Sequence, residues 1–222
     1  MPSDAFSRAE RSRPATWIGL FIALFGLFVI RQAVRIVSND PGTALVIVRE
    51  LLIFASAGGL LVLVKRGEKL PLRTIGLGTS VWWKSALWGL TTMLLCGGAA
   101  EFLGKMTRHD GTASPFERLP LWVFVLIVLR AGIVEELFYR GYAIERLEAI
   151  RAGRFASAAI PLFLFAAGHY RGAGLDVLQP LVLGGILTGF YLWRRDLVAN
   201  ILAHTIVDLV GTGVLVRILK SV

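Results

Sequence analysis

The sequence predicts an all-α fold, a polytopic transmembrane helical bundle of about seven spans, and three observations carry that prediction. Of its 222 residues 55% are hydrophobic, and the mean hydropathy is +0.68, more apolar sequence than a soluble domain of this length needs. The apolar residues gather in long runs rather than in two-faced patterns, and a run near 20 residues at helical rise matches the hydrocarbon thickness of a bilayer. The basic residues fall mostly in the short segments between those runs, which is where Lys and Arg mark a cytoplasmic side. The lipid bilayer is therefore the expected partner of most of the surface. A formal net charge of +9 without aromatic-basic interleaving reads as topology, and no nucleic-acid partner is expected.

The expected spans lie at roughly 16–37, 43–64, 82–103, 119–139, 155–170, 177–193 and 196–218. Arg8, Arg11 and Arg13 before the apolar stretch Trp17 to Ile30 resemble a signal peptide. No small-residue cleavage site follows, and the run continues to Arg31 and Arg35, so a retained first span is expected. Asn39-Asp40-Pro41-Gly42 forms the first turn. The stretch Lys65 to Ser80 is too polar to span and suits a segment lying along the interface. Cys96, the single cysteine, excludes an intrachain disulfide and reads as a small buried hydrophobe. The charged segment Gly141 to Arg154 is expected to project from the bilayer. Short connections imply one integral domain, with N-terminal helices and the interfacial segment over 1–118 and a second helical region over 119–222.

Loop charge sets the expected orientation. Arg8, Arg11 and Arg13, then Lys65, Arg66, Lys69 and Arg73, then Arg146, Arg151 and Arg154, then Arg194 and Arg195 fall on one side. The other side holds Lys105, Arg108, Arg118 and Arg171. The N-terminus is expected in the cytoplasm and the C-terminus outside.

Ionisable side chains inside spans are costly and face a bundle interior or a wet cavity, so function is sought there. The candidates are Glu101, Arg130, Glu135, Glu136, Arg140, His169, His204 and Asp208. Arg31, Arg35, Arg49 and Glu50 lie nearer span ends, where snorkelling accounts for them. Glu136 and Arg140, four apart, share a helical face and can pair. Glu135 projects about 100° away and is left without that partner, which suits a general base. The alternative is a solvated helix end. His169 reads either as a capped interfacial histidine or as part of a site. Asn200, His204 and Asp208 form a polar stripe on the last span, read either as interhelical hydrogen bonding or as a functional face.

Glu135 and His169 lie equally far in sequence before and after Ala152, in the turn between the fourth and fifth spans. In an antiparallel pair both sit at one depth, roughly 25 Å from that turn at 1.5 Å per residue. Removing the projecting segment brings them towards His204. One acid, two imidazoles and Asp208 are thus expected to converge in the cytoplasmic half of the membrane.

Glu135-Glu136-x-x-x-Arg140, Phe165-x-x-x-His169 and His204-x-x-x-Asp208 resemble the three ordered motifs of the CAAX-protease and bacteriocin-processing superfamily, which includes the type II CAAX prenyl endopeptidases. The flanking Glu-Glu-Leu-Phe-Tyr-Arg-Gly and Asn-Ile-Leu-Ala-His agree, and the resemblance covers about residues 120–210. It implies that 119–222 is a catalytic helical core. It implies an intramembrane endopeptidase acting on membrane-anchored or lipid-modified peptides, in the plasma (inner) membrane of a prokaryote. By position, Glu135 would activate water and His169 would orient or share its proton. His204 and residue 208 would stabilise the oxyanion, and Glu136 with Arg140 would lock the helix and orient Glu135.

Members have been described as metalloproteases and as metal-independent glutamate proteases. Many carry Asn where this chain has Asp208, and an ionised Asp donates no hydrogen bond. Asp208 would then orient His204, stay protonated, or ligate a metal. Glu135, His169, His204 and Asp208 would suit zinc, but the His-Glu-x-x-His helix of soluble zinc proteases is absent. The reading favours no cofactor. Rival intramembrane chemistries lack their signatures: there is no Gly-x-Ser-x-Gly and no second Asp to complete an aspartyl dyad. A transporter with an inverted repeat finds no support. A non-catalytic scaffold or immunity or assembly factor on the same fold is the remaining alternative.

Overall fold

The computed structural model describes residues 13–107, 119–170, 172 and 175–220. Arg8, Arg11, Arg108, Arg118 and Arg171, on which the expected orientation partly rests, lie outside them. All regular structure among the described residues is helical. The order is α1 (Arg13–Val37), α2 (Thr43–Val62), α3 (Trp82–Thr107), α4 (Leu121–Arg130), a π-helix (Ala131–Ile144), α5 (Glu145–Ala149), α6 (Arg154–Ala167), α7 (Leu175–Arg194), α8 (Leu197–Gly211) and α9 (Val214–Lys220).

Among the described residues, four segments are long and apolar enough to cross a membrane: Pro14–Val37, Thr43–Gly67, Trp82–Lys105 and Asp176–Arg194. α6 and α8 are apolar but shorter. The span expected at 119–139 is divided between α4 and the π-helix. Large apolar side chains such as Phe21, Phe28, Leu94 and Phe102 are exposed on the outer helices, a surface suited to acyl chains.

The π-helix is the centre of the bundle. Every residue from Val134 to Ile144 is buried, and α1, α2, α4, α6 and α8 all pack on it. π-Helices are rare and occur mostly as single turns, often at functional sites; this one runs 14 residues. It packs tightly on α8 at Gly132, where an added Cβ would collide with Thr205 Oγ1 and stand 3.0 Å from Thr205 Cα. Gly132→Val is therefore expected to destabilise the fold by about 1–3 kcal/mol through overpacking, measured as a lowered melting temperature in detergent. An unchanged melting temperature would mean that α8 does not seat there.

Two sequence expectations are corrected. The first half of the segment from Gly141 to Arg154 does not project: Gly141 to Ile144, Arg146 and Leu147 are buried, and only Arg151 to Arg154 are exposed. Nor does the stretch after Lys65 simply lie on the interface. A π-turn (Leu63–Gly67) finishes α2, a 3₁₀ turn follows (Leu72–Ile75), and Leu70 and Ile75 are buried. Glu68 is the physical reason for both. Its buried carboxylate accepts from Thr16 Oγ1 at 3.0 Å, Tyr142 Oη at 2.8 Å and Arg146 Nε at 2.9 Å. Arg146 also donates to Thr74 Oγ1 at 3.1 Å. Charges that look solvated in sequence are here spent on each other. At the same end, Arg195 bridges Glu145 at 2.6 Å and Glu148 at 2.8 Å. Partial burial alone would lower the Arg195 pKa, but the hydrogen bonds to Glu148 and the charge of Glu145 raise it above its ordinary value.

Candidate active site

α8 carries the polar stripe, and its start is fixed by side chains. Asp196 caps it by accepting from Ala199 N at 3.2 Å, the usual service of an N-cap Asp. The other Asp196 oxygen accepts from Ser85 Oγ on α3 at 2.7 Å. One and two turns further, Asn200 and His204 face the π-helix. Asn200 Nδ2 donates to Glu136 Oε2 at 3.0 Å and to Leu187 O at 2.9 Å. His204 Nδ1 lies 2.8 Å from Glu136 Oε1; a carboxylate only accepts, so Nδ1 carries the proton.

Glu136 is the hub of this half. It is fully buried and also accepts from Arg140 Nη1 at 2.7 Å. Arg140 in turn donates from Nη2 to Gly184 O at 3.1 Å and lies 4.4 Å from the Phe165 ring. Phe165 stands 4.8 Å from the His169 ring and 5.9 Å from the His204 ring, centroid to centroid. The expected Glu136–Arg140 pair is present, but Glu136 reaches His204 and Asn200 rather than Glu135. Asp208 does not accept a hydrogen bond from His204: its Oδ2 is 3.6 Å from Nε2, beyond hydrogen-bond length.

Glu135 belongs to a second charge network, which corrects its expected isolation. Oε1 accepts from Arg130 Nη1 at 2.6 Å and from Arg31 Nη2 at 3.3 Å. Arg130 also binds Glu50 Oε2 at 2.6 Å, and Arg49 holds Glu50 Oε1 at 2.6 Å. Arg31, Arg49 and Glu50 are thus not snorkelling, whereas Arg35 is exposed. The pairing of Arg130 with Glu135 spans five residues. On an α-helix these would diverge by roughly 140°; they pair where the chain passes into π-helix, whose hydrogen bonds run over five residues. The second oxygen, Glu135 Oε2, is buried without a hydrogen-bond partner among the described residues. Glu101 drops out as a candidate: it is 70% exposed and pairs with Lys105 at 2.7 Å.

Two cavities meet here. One, of about 250 Å³, has a mixed lining, with Phe165, Leu183, Leu187 and Val207 beside His204, Asp176 and Gln179, and with Cys96 buried in its wall. The other, of about 270 Å³, is bordered by Glu135 and by Arg31, Arg49 and Arg130. His169 and Asp208 line both. His169 Nδ1 lies 2.8 Å from Phe165 O, so Nδ1–H donates to that carbonyl and Nε2 is left for other partners.

Of the four side chains that would suit zinc, Glu135 borders the second cavity, His204 the first, and His169 and Asp208 both. Among the described residues, no three His, Cys, Asp or Glu side chains are grouped to hold a metal ion. Structural and catalytic zinc sites need at least three protein ligands, so this donor set does not fit one. Of the residues that build the second network, Arg31, Arg49 and Glu50 were set aside by the sequence reading as span-end charges. Each interrupts an apolar run, and the rule that intramembrane charges mark a site would have kept them.

Residues 117–210 match the family model described as Rce1-like, type II CAAX prenyl endopeptidase Rce1-like. The matched segment contains Glu135, Glu136, Arg140, His169, His204 and Asp208; it is less than half of the chain and leaves out α1 to α3. No similar protein is found among curated proteins, and none among solved structures. The fold and site define a helical membrane protein. Its C-terminal half is similar to a CAAX-protease-type membrane endopeptidase.

Proposed function

We propose that this protein is an intramembrane endopeptidase that cleaves lipid-anchored peptides near their C-terminus with a water activated by Glu135. The observation that carries the reading is the buried Oε2 of Glu135, unpartnered beside a cavity it shares with His169. Arg130 and Arg31 hold Oε1 and so aim the carboxylate. Oε2 takes a proton from water as the oxygen attacks the scissile carbonyl. His169 Nε2 accepts a hydrogen bond from that water and so orients it, then takes the proton from Glu135 Oε2 and delivers it to the leaving amine as the C–N bond breaks. Glu136 holds His204, and a His204 protonated on both nitrogens donates from Nε2 to the oxyanion. The cavity bordered by Phe165, Leu183, Leu187 and Val207 takes the lipid-modified side of the substrate. In this reading 1–118 supplies the supporting helices and 119–222 the catalytic core. The N-terminus is cytoplasmic, and the membrane is the inner membrane of a prokaryote.

The test uses protein reconstituted in liposomes with a prenylated peptide ending in a CAAX sequence, and follows release of the C-terminal fragment. Release by the wild type is expected; no release under conditions where the protein stays folded would refute the function and favour a non-catalytic scaffold. The same assay decides the role of Asp208. Asp208→Asn is expected to keep activity within about threefold, because the amide adds a donor, and the wild type is expected to be indifferent to chelator. A variant slowed a hundredfold or more, together with chelator inhibition reversed by added metal, would replace the mechanism with a metal-dependent one.

A further inference from the structure

At one end of the bundle the acids are all engaged and several cations have no acid to answer them. Ser85 Oγ donates to Asp196, and Leu197 N donates to Gly76 O at 3.0 Å, so the starts of α3 and α8 meet there. Asp196 is occupied by Ser85 and the α8 cap, Glu145 and Glu148 by Arg195, and Glu68 by Arg146. Lys84 and Arg194 lie instead against indoles. Arg194 stands over the Trp88 ring at 5.1 Å and the Trp193 ring at 5.2 Å, and Lys84 over Trp83 at 5.4 Å. Lys84 precedes Trp88 by one turn of α3 and shares its face. Trp88 meets Trp193 of α7 edge-on, 5.1 Å between centroids. Two cations from two helices therefore flank one indole. A ring face attracts the charge without supplying a hydrogen-bond acceptor, so the donors of both cations stay unused. Of the Arg194 nitrogens Nε is the one buried without a partner, which leaves the two terminal nitrogens to a ligand.

The level of this edge in the bundle indicates the ligand. The apolar segments Trp82–Lys105 and Asp176–Arg194 begin and end at it, so the two cations stand where hydrocarbon gives way to headgroups. Trp82, Trp83, Trp88 and Trp193 gather here; all but Trp88 are exposed, as in an interfacial aromatic belt. We propose that the edge where α3 meets α7 binds the phosphate of an anionic phospholipid, with Lys84 and Arg194 as donors and the indoles packed against the glycerol and upper acyl chains. A phosphodiester offers acceptor oxygens to both cations, and among the described residues no free acid at this edge opposes its charge. A choline headgroup would bring a further cation to a site that already holds two. The bound lipid ties α3 to α7, the helices that carry Cys96, Leu183 and Leu187 on the wall of the first cavity. α3 lies outside the segment similar to the endopeptidase family, and the proposal does not depend on the endopeptidase function.

The experiment follows the melting temperature of the purified protein in detergent as phosphatidylglycerol, phosphatidylcholine or inorganic phosphate is added. Phosphatidylglycerol is expected to raise it by about 3–10 °C, the shift for a ligand present at ten to a hundred times its Kd. Phosphatidylcholine and inorganic phosphate are expected to leave it nearly unchanged. Lys84→Gln combined with Arg194→Gln is expected to remove more than half of the shift. Lys65→Gln combined with Arg66→Gln takes the same charge from exposed positions at the same end and is expected to keep it. If the Arg194 variant does not fold, Lys84→Gln alone, at an exposed position, is expected to reduce the shift. A shift that survives loss of Lys84 and Arg194, or that phosphatidylcholine matches, overturns the proposal. So does a shift lost equally in the Lys65 and Arg66 variant, which would mean a diffuse basic surface, or one reproduced by inorganic phosphate, which would mean a site for a soluble anion.

Discussion

Glu135→Gln is expected to lower single-turnover cleavage by about a hundred- to ten-thousandfold, the range for loss of a positioned general base. The amide is nearly isosteric and can still accept at Oε1 from Arg130 and Arg31. Its nitrogen, however, takes the place of Oε2 and has no lone pair to receive a proton. Arg130 keeps Glu50 at 2.6 Å, so the variant retains one buried pair and is expected to melt close to the wild type. The measurement is cleavage of the prenylated peptide by both proteins, beside their melting temperatures in the same detergent. Cleavage by Glu135→Gln at the wild-type rate would remove Glu135 from the chemistry.

Glu136→Gln is expected to act on folding first. Glu136 and Arg140 are both fully buried and pair at 2.7 Å. Removing one charge of a buried pair strands the other, at a cost on the order of 3–5 kcal/mol. Low expression and a much lower melting temperature should follow. Glu136 also holds the His204 ring and the Asn200 amide, so a purely structural role and an orienting role are separable. Glu136→Gln combined with Arg140→Met removes both charges, and such replacements are often near neutral in stability. The double variant is expected to recover most of the melting temperature while cleavage stays at least a hundredfold down, because His204 has lost its carboxylate. Recovered cleavage would show that Glu136 does no more than balance Arg140.

The long apolar runs suffice to read a helical membrane protein from the sequence. A bilayer leaves no alternative partner for the backbone, so a helix of the right length is forced locally. The Glu136–Arg140 pair was legible for the same reason, since four residues share a helical face whatever surrounds them. The stripe of Asn200 and His204 was legible as inward-facing. The partner of Glu135 was not. Its ion pair with Arg130 spans five residues, and α-helical periodicity points those two apart; they meet where the helix rewinds to π. Arg31, Arg49 and Glu50 looked like span-end charges because depth along a helix is a local quantity. Which helix lies opposite is not: Arg31 reaches Glu135 across 104 residues of sequence. Glu68 and Arg146 misled in the same way, since two charges in polar segments read as solvated until the fold brings them to 2.8 Å. The sequence by itself therefore determined the class of fold, the inward face of the last long helix and the candidate residues, because burial pattern and helical period are local. Only the tertiary structure decided which acid holds which base and which carboxylate oxygen is left without a partner, because pairing a buried charge depends on groups that the chain supplies from distant helices.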